Sequence, residues 1–226
     1  MGFMGLGTGI QRFYRDLAAH NERQWFTANQ ERYENEVLMP ALSLVAELGP
    51  RFEAVFPDIH YGLERNGSGS VMRIHRDVRF SPDKRPYKEN LGVVFWLGEG
   101  KKVERPCLYL NVEKDSAFLY AGRHRFPKGE VGSYRAAVAD PTTGTALERI
   151  LSRLAKAGLA VLEEAAYKKV PRDFPSDHPR ERLLRHDGLG VFRPLTAEGL
   201  ASPGLPGDFV AFAKKAKPLL DWLCAL

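Results

Sequence analysis

Six cations, Arg73, Arg76, Arg79, Lys84, Arg85 and Lys88, crowd one short stretch of this sequence that holds only two carboxylates, Asp77 and Asp83. Guanidinium forks bind phosphate or carboxylate through paired hydrogen bonds, and ammonium groups add point charges beside them. If a strand runs from Ser70 through Phe80, its period of two puts Arg73, His75, Asp77 and Arg79 on one face. The turn from Ser81 to Pro86 then raises Lys84, Arg85, Tyr87 and Lys88 beside them. In that arrangement Arg73, Arg76, Arg79, Lys84 and Lys88 are the candidate ligand-binding cations and Tyr87 a neutral donor. Asp77 and His75 are the groups able to act as acid or base, the candidate catalytic pair.

Three readings of this segment stay open. The surplus of cations over carboxylates favours a small phosphate- or carboxylate-bearing ligand in a basic pocket on a sheet face, with or without catalysis. The same charges could instead pin an irregular hairpin through ion pairs, a structural role. A third reading is a module for nucleic acid or an acidic protein. Arg123, His124 and Arg125 would extend the basic surface, and Phe80, Tyr87, Tyr109 and Tyr120 would offer stacking faces. No ribonucleoprotein signature accompanies them.

Other chemistry has less support. Asn66 to Ser70 reads Asn-Gly-Ser-Gly-Ser, without the Gly-Lys-Ser/Thr order of a phosphate loop, and is expected to be a flexible connection. His75, His124 and His178 are scattered among the six histidines, without metal-ligand spacing. Ser68, Ser70 and Ser81 lack a nucleophile-elbow context. The two cysteines, Cys107 and Cys224, form no Cys-x-x-Cys pair, so neither a disulfide framework nor a metal site is expected, and no cofactor is implied.

The chain has 226 residues, 44% hydrophobic and 27% charged, with a net charge of +5. That is enough to bury one sizeable core, and one domain spanning 1–226 is the expectation. There is no run of roughly 18 apolar residues and no secretory signal at the start, which points to the cytoplasm and away from a membrane.

The elements that must position the basic segment follow from periodicity. A helix is expected over Gly9 to Ala19 with Ile10, Phe13, Tyr14 and Leu17 inward. A second begins near Asn21, whose spacing to Gln24 is that of a capping box, and Pro40 should kink or restart it. Strands follow at Leu91 to Leu97, Pro106 to Glu113 and Ala117 to Arg123, with short connections that favour an antiparallel meander. Helical spacing returns at Tyr134 and Val138, and again at Leu147, Ile150, Leu151 and Leu154 with Thr145 and Glu148 as a capping box. Asp177 and Pro179 should open a short helix that Gly188 ends, and a last helix runs from about Asp208 to Leu223 past Pro218. Helices, then strands, then helices predict an α+β fold. Its antiparallel meander of about four or more strands, roughly 70–125, would be covered by N-terminal and C-terminal helices.

Several of these residues together resemble a known family. Phe13 and Leu17, then Asn21, Trp25, Phe26 and Tyr33, precede the run Arg76, Asp77, Arg79, Phe80, Ser81, Asp83, Lys84, Pro86, Tyr87 and Lys88. Pro171, Phe174, Asp177, His178 and Pro179 follow in order. Over nearly its whole length the chain is similar to domain of unknown function 2461. The resemblance implies that Trp25 and the residues of the central run occupy motif positions; it implies no activity, and Arg73 and His75 lie outside the matched run.

Overall fold

A computed structural model describes residues 3–161 and 165–226. The chain begins with helices α1 (Gly9–Ala19), α2 (Arg23–Ala28) and α3 (Gln30–Tyr33), a π-helical turn at Glu34–Leu38, and α4 (Met39–Glu53). Strands β1 (Ile59–His60), β2 (Asn90–Leu97), β3 (Cys107–Glu113) and β4 (Ala117–Arg123) come next. Helices α5 (Val131–Ala139) and α6 (Pro141–Lys156), strand β5 (Ala160–Val161), α7 (Glu181–Leu184), β6 (Leu189–Pro194), α8 (Ala197–Ala201) and α9 (Leu205–Cys224) complete it. The six strands form one antiparallel sheet in the order β1-β2-β3-β4-β6-β5, with N- and C-terminal helices packed on it. Its central strands are buried along most of their length, while the two edge strands, β1 and β5, are two residues each. No described helix is long and apolar enough to cross a membrane.

Chain contacts divide the protein into two compact units. The first takes in the chain up to Trp96 together with Tyr109–Leu119 and Pro194–Phe212. Its core is aromatic: Phe52 of α4 meets Phe95 of β2 edge-on at 4.8 Å, and Phe209 of α9 meets Phe52 at 5.2 Å. The inward stripe of α1 is Ile10, Phe13, Tyr14 and Leu17, as its spacing predicts. Where α4 begins, Pro40 has no N–H to return to the carbonyl four residues back. The helix meets that constraint with the π turn, in which the Met39 N–H reaches the Glu34 carbonyl, so Pro40 restarts the helix after an extra residue.

The second unit comprises Leu97–Leu108, Tyr120–Arg193 and Ala213–Leu226. In it Tyr120 donates to the Leu189 carbonyl at 3.3 Å and its ring lies where a Cβ on Gly190 would have to sit, so β6 needs glycine there. Arg180, 9% exposed, closes the C-terminal end of α5: Nε donates to the Val138 carbonyl at 2.6 Å, and Nη2 to those of Ala139 and Asp140 at 3.0 and 3.2 Å. The first two are carbonyls that a helix end leaves without intrahelical donors, while that of Asp140 also accepts the Gly144 N–H at 2.9 Å as α6 begins.

The three capping assignments differ from the sequence expectation. Asn21 does not cap α2, which starts after Glu22; its amide is used elsewhere, as described below. Asp140 caps α6 by accepting from Thr142 and Thr143 N–H at 2.9 and 2.8 Å, which leaves Thr145 inside the helix. Beyond Asp177, it is His178 Nδ1 that accepts the Arg180 N–H, at 3.0 Å, and α7 starts only at Glu181. Only at α6 does a rival side chain take the cap; α2 and α7 start at Glu22 and Arg180 without a side-chain cap. The strands β1, β5 and β6 were also unforeseen, the first two being too short to show a period and β6 being broken by Gly190 and closed by Pro194.

Arg180→Met removes the guanidinium donors from the Val138 and Ala139 carbonyls, while that of Asp140 keeps the Gly144 N–H, and each buried polar group left unpaired costs about 1–3 kcal/mol. The expected loss in melting temperature is roughly 6–12 °C. A fall below about 1 °C would mean that water replaces the guanidinium without penalty.

Candidate functional site

From Ser70 the chain runs extended beside β2, with Met72 N–H on the Gly92 carbonyl and Val94 N–H on that of Ser70, both at 2.9 Å. It then leaves the sheet and pairs with its own return: Arg76 N–H reaches the Pro86 carbonyl, and Lys88 N–H that of Ile74, both at 2.8 Å. Only isolated bridges form, Val71 with Val93 and His75 with Tyr87. The expected strand through Phe80 is therefore absent, because Pro82 and Pro86 supply no N–H to continue a ladder. Alternation survives as exposure, with Ile74 buried and Arg73, His75, Asp77 and Arg79 exposed.

Two contacts fix this hairpin. The ring of Tyr87, only 5% exposed, stacks on Phe26 of α2 at 4.2 Å and 21°. The Asn21 amide donates to the Tyr87 carbonyl at 3.0 Å and accepts the Tyr87 N–H at 3.1 Å, while also donating to Glu89 at 2.9 Å.

Most of the charge is matched internally. Arg79 forks onto Asp77 through Nε and Nη2 at 2.9 and 2.7 Å. Asp83 accepts from Arg76 Nη1 at 2.7 Å and from Arg85 Nη2 at 2.7 Å, and Arg85 also holds Glu89 at 2.6 Å. Lys84 Nζ donates to the Val78 carbonyl at 3.1 Å. Asp77 is lowered to about 2, chiefly by the Arg79 side chain and then by the Arg79 N–H. Asp83 is pushed further down, first by Arg85 and then by Arg76. A carboxylate held that low does not take up a proton near neutrality. Of the two candidate acid–base residues, His75 alone keeps its ring without a hydrogen bond among the described residues, 5.2 Å from Tyr87.

Arg73 and Lys88 differ from the other cations. Neither forms an ion pair with a carboxylate among the described residues. The Lys88 ammonium is pushed below its ordinary value, first by burial and then by Arg73. Arg73 borders a cavity of about 160 Å³, whose walls include Phe26, Gln30, Tyr33, Glu34, Arg65 and His75. Behind Arg73 the loop from Gly62 to Ser70 is tied rather than flexible. Ser70 is buried and its N–H bonds the Gly62 carbonyl at 2.8 Å, while Asn66 Oδ1 accepts the Ser68 N–H at 2.9 Å. Gly67, at φ 89°, occupies the left-handed region, and a Cβ there would press on the Arg73 Cβ at 3.0 Å.

The remaining sequence candidates disperse. Tyr87 and Tyr120 are core residues, so of the proposed stacking aromatics only Phe80 stands out, at 93% exposure. Arg123 is buried with Nη2 2.7 Å from Glu130, and Arg125 lies 3.4 Å from Asp187. Burial raises the Cys107 thiol to about 12, which leaves it unreactive at neutral pH. Among the described residues no three His, Cys, Asp or Glu are grouped to hold a metal. Sequence reasoning missed Asn21 as a clamp and Gln30, Tyr33, Glu34 and Arg65 as cavity walls. They stand well away from the basic run in sequence, and only the fold brings them to it.

Because the Asp77 and Asp83 carboxyls are lowered in the fold, what they contribute is present above the ordinary carboxylate value of about 4 and is lost as pH falls below it. The double variant Asp77→Asn, Asp83→Asn should show a shallower acid loss of melting temperature than the natural protein, and faster proteolysis within 76–88. Identical acid profiles would show that these pairs leave stability unchanged.

No curated protein and no solved structure matches the chain. One family model matches residues 10–222, nearly the whole sequence and all of the hairpin, cavity and clamp. The chain therefore belongs to the family described as conserved hypothetical protein, DUF2461.

Proposed function

We propose that this protein binds a small carboxylate- or phosphate-bearing molecule in the cavity that Arg73 and His75 line, with Lys88 as a neighbouring cation outside that lining. The observation that carries this reading is the pair of like charges itself: Arg73, exposed beside the cavity, and the half-buried Lys88, neither in an ion pair among the described residues, with Asp77, which Arg73 also influences, already forked by Arg79. Two neighbouring cations repel, and an anion between them removes the repulsion and supplies charge-assisted hydrogen bonds. The cavity is smaller than the roughly 300–1,000 Å³ clefts of drug-sized ligands, which favours a compact metabolite.

Arg76, Arg79 and Arg85 serve the hairpin under this reading, since each would have to surrender a carboxylate to grip a ligand. A nucleic-acid surface has less support, because Phe80 is the one exposed ring of the four proposed.

The test is thermal shift at low ionic strength with phosphate, succinate, citrate and sugar phosphates. At about 100 times Kd a true ligand should raise the melting temperature by roughly 5–10 °C. Arg73→Ala or Lys88→Met should weaken binding roughly 10- to 100-fold, and Arg79→Ala should leave it intact. Loss on Arg79→Ala but not on Arg73→Ala, or no response to any anion, would overturn the proposal.

The lowered Lys88 value gives a pH signature. Affinity should fall as pH rises through a midpoint below the ordinary lysine value of 10.5, with proton uptake on binding in that range. Without the anion, the penalty of charging Lys88 lies on the acid side of that midpoint and disappears above it. Lys88→Met should flatten the affinity profile; an unchanged profile would remove Lys88 from the site.

A further inference from the structure

We infer that the ligand carries an ammonium group as well as its anionic one, in a molecule of about amino-acid size, and that Glu34 is the partner of that ammonium; this rests on the anion-binding reading above. The cavity that Arg73 borders is not uniformly basic. Besides Arg73 and His75, its lining takes Gln30, Tyr33 and Glu34 from α3 and the π turn, and Arg65 joins them.

Glu34 is half engaged. Its Oε2 accepts from Arg65 Nη2 at 3.1 Å, and its other oxygen has no hydrogen-bond partner among the described residues. A carboxylate has room for several donors, so an ammonium can join Arg65 without displacing it. The side chains of Gln30, Tyr33, Arg73 and His75 likewise make no hydrogen bond among the described residues, so the polar part of this wall is largely unspent. The Tyr33 hydroxyl, raised to about 12 by burial and then by Glu34, stays protonated and can donate. Phe26, Leu38, Val71 and Ile74 supply an apolar lining that strengthens charge contacts by excluding water.

Charge complementarity then selects the ligand class. A simple anion held by Arg73 would leave the open oxygen of Glu34 in the same cavity as an unmatched like charge, whereas a zwitterion meets both groups. Free amino acids and small phosphate esters of amino alcohols share this chemistry.

Isothermal titration with matched pairs tests it: glutamate against glutarate, and O-phosphoethanolamine against ethyl phosphate. The natural protein should bind one amino-bearing member at least about tenfold more tightly than its match, and which pair shows this separates the carboxylate from the phosphate source. Glu34→Gln should bring that ratio close to one while binding of the plain anion persists or tightens. Arg65→Gln, which leaves Glu34 unshared, should keep or enlarge the ratio and guards against a general effect of breaking the surface pair. Equal affinities within both pairs, with binding still lost on Arg73→Ala, would overturn the ammonium inference and leave the anion site standing. A ratio that survives Glu34→Gln would remove Glu34 from it, and absence of binding by all four probes would sink both readings.

Discussion

The Asn21 amide does for Tyr87 what a neighbouring strand would do, giving one hydrogen bond to its carbonyl and taking one from its N–H. The 71–88 segment has few other ways to be held, since two prolines interrupt its pairing and only two isolated bridges form. With Tyr87 fixed and its ring stacked on Phe26, Lys88 is carried into its half-buried position and Ile74 is drawn inward across the hairpin. Arg73 and His75, which flank Ile74, then have nowhere to go but outward, along the cavity. One side-chain amide near the start of the chain thus sets the location of the cationic pair.

Charge density in the hairpin has two distinct uses. Beyond Arg76 the loop has little apolar surface to bury, with Phe80 in solvent, so packing cannot order it. Forked and shared ion pairs take over that task, and such bidentate contacts hold geometry better than the single exposed pairs that contribute about 0–1 kcal/mol. At the base of the hairpin the opposite holds: Ile74 and Tyr87 already anchor the backbone, and the cations there are released from structural duty. Asp83, with Arg76 on one side and Arg85 on the other, marks where the first use ends.

The sequence made the helical stripe of α1 and the meander β2-β3-β4 legible because both are long enough to display a period and are buried according to it. It also made the charge cluster visible, but not its division. Whether Arg79 forks onto Asp77 while Arg73 forms no ion pair among the described residues depends on local backbone direction, which two prolines remove from the rule of alternation. The cap spacing at Asn21 misleads because its amide goes to Tyr87 and Glu89 rather than to α2. The rest of the cavity lining is invisible in the sequence for a simpler reason: Glu34 and Arg65 are ordinary surface charges until the fold brings them to the same cavity as Arg73.

The sheet ends in stubs. Among the described residues, β1 and β5 are two residues long, so each edge strand is itself a short template for another polypeptide. Very short edge strands are one way in which sheets resist the growth by templating that leads to fibrils or swapped dimers.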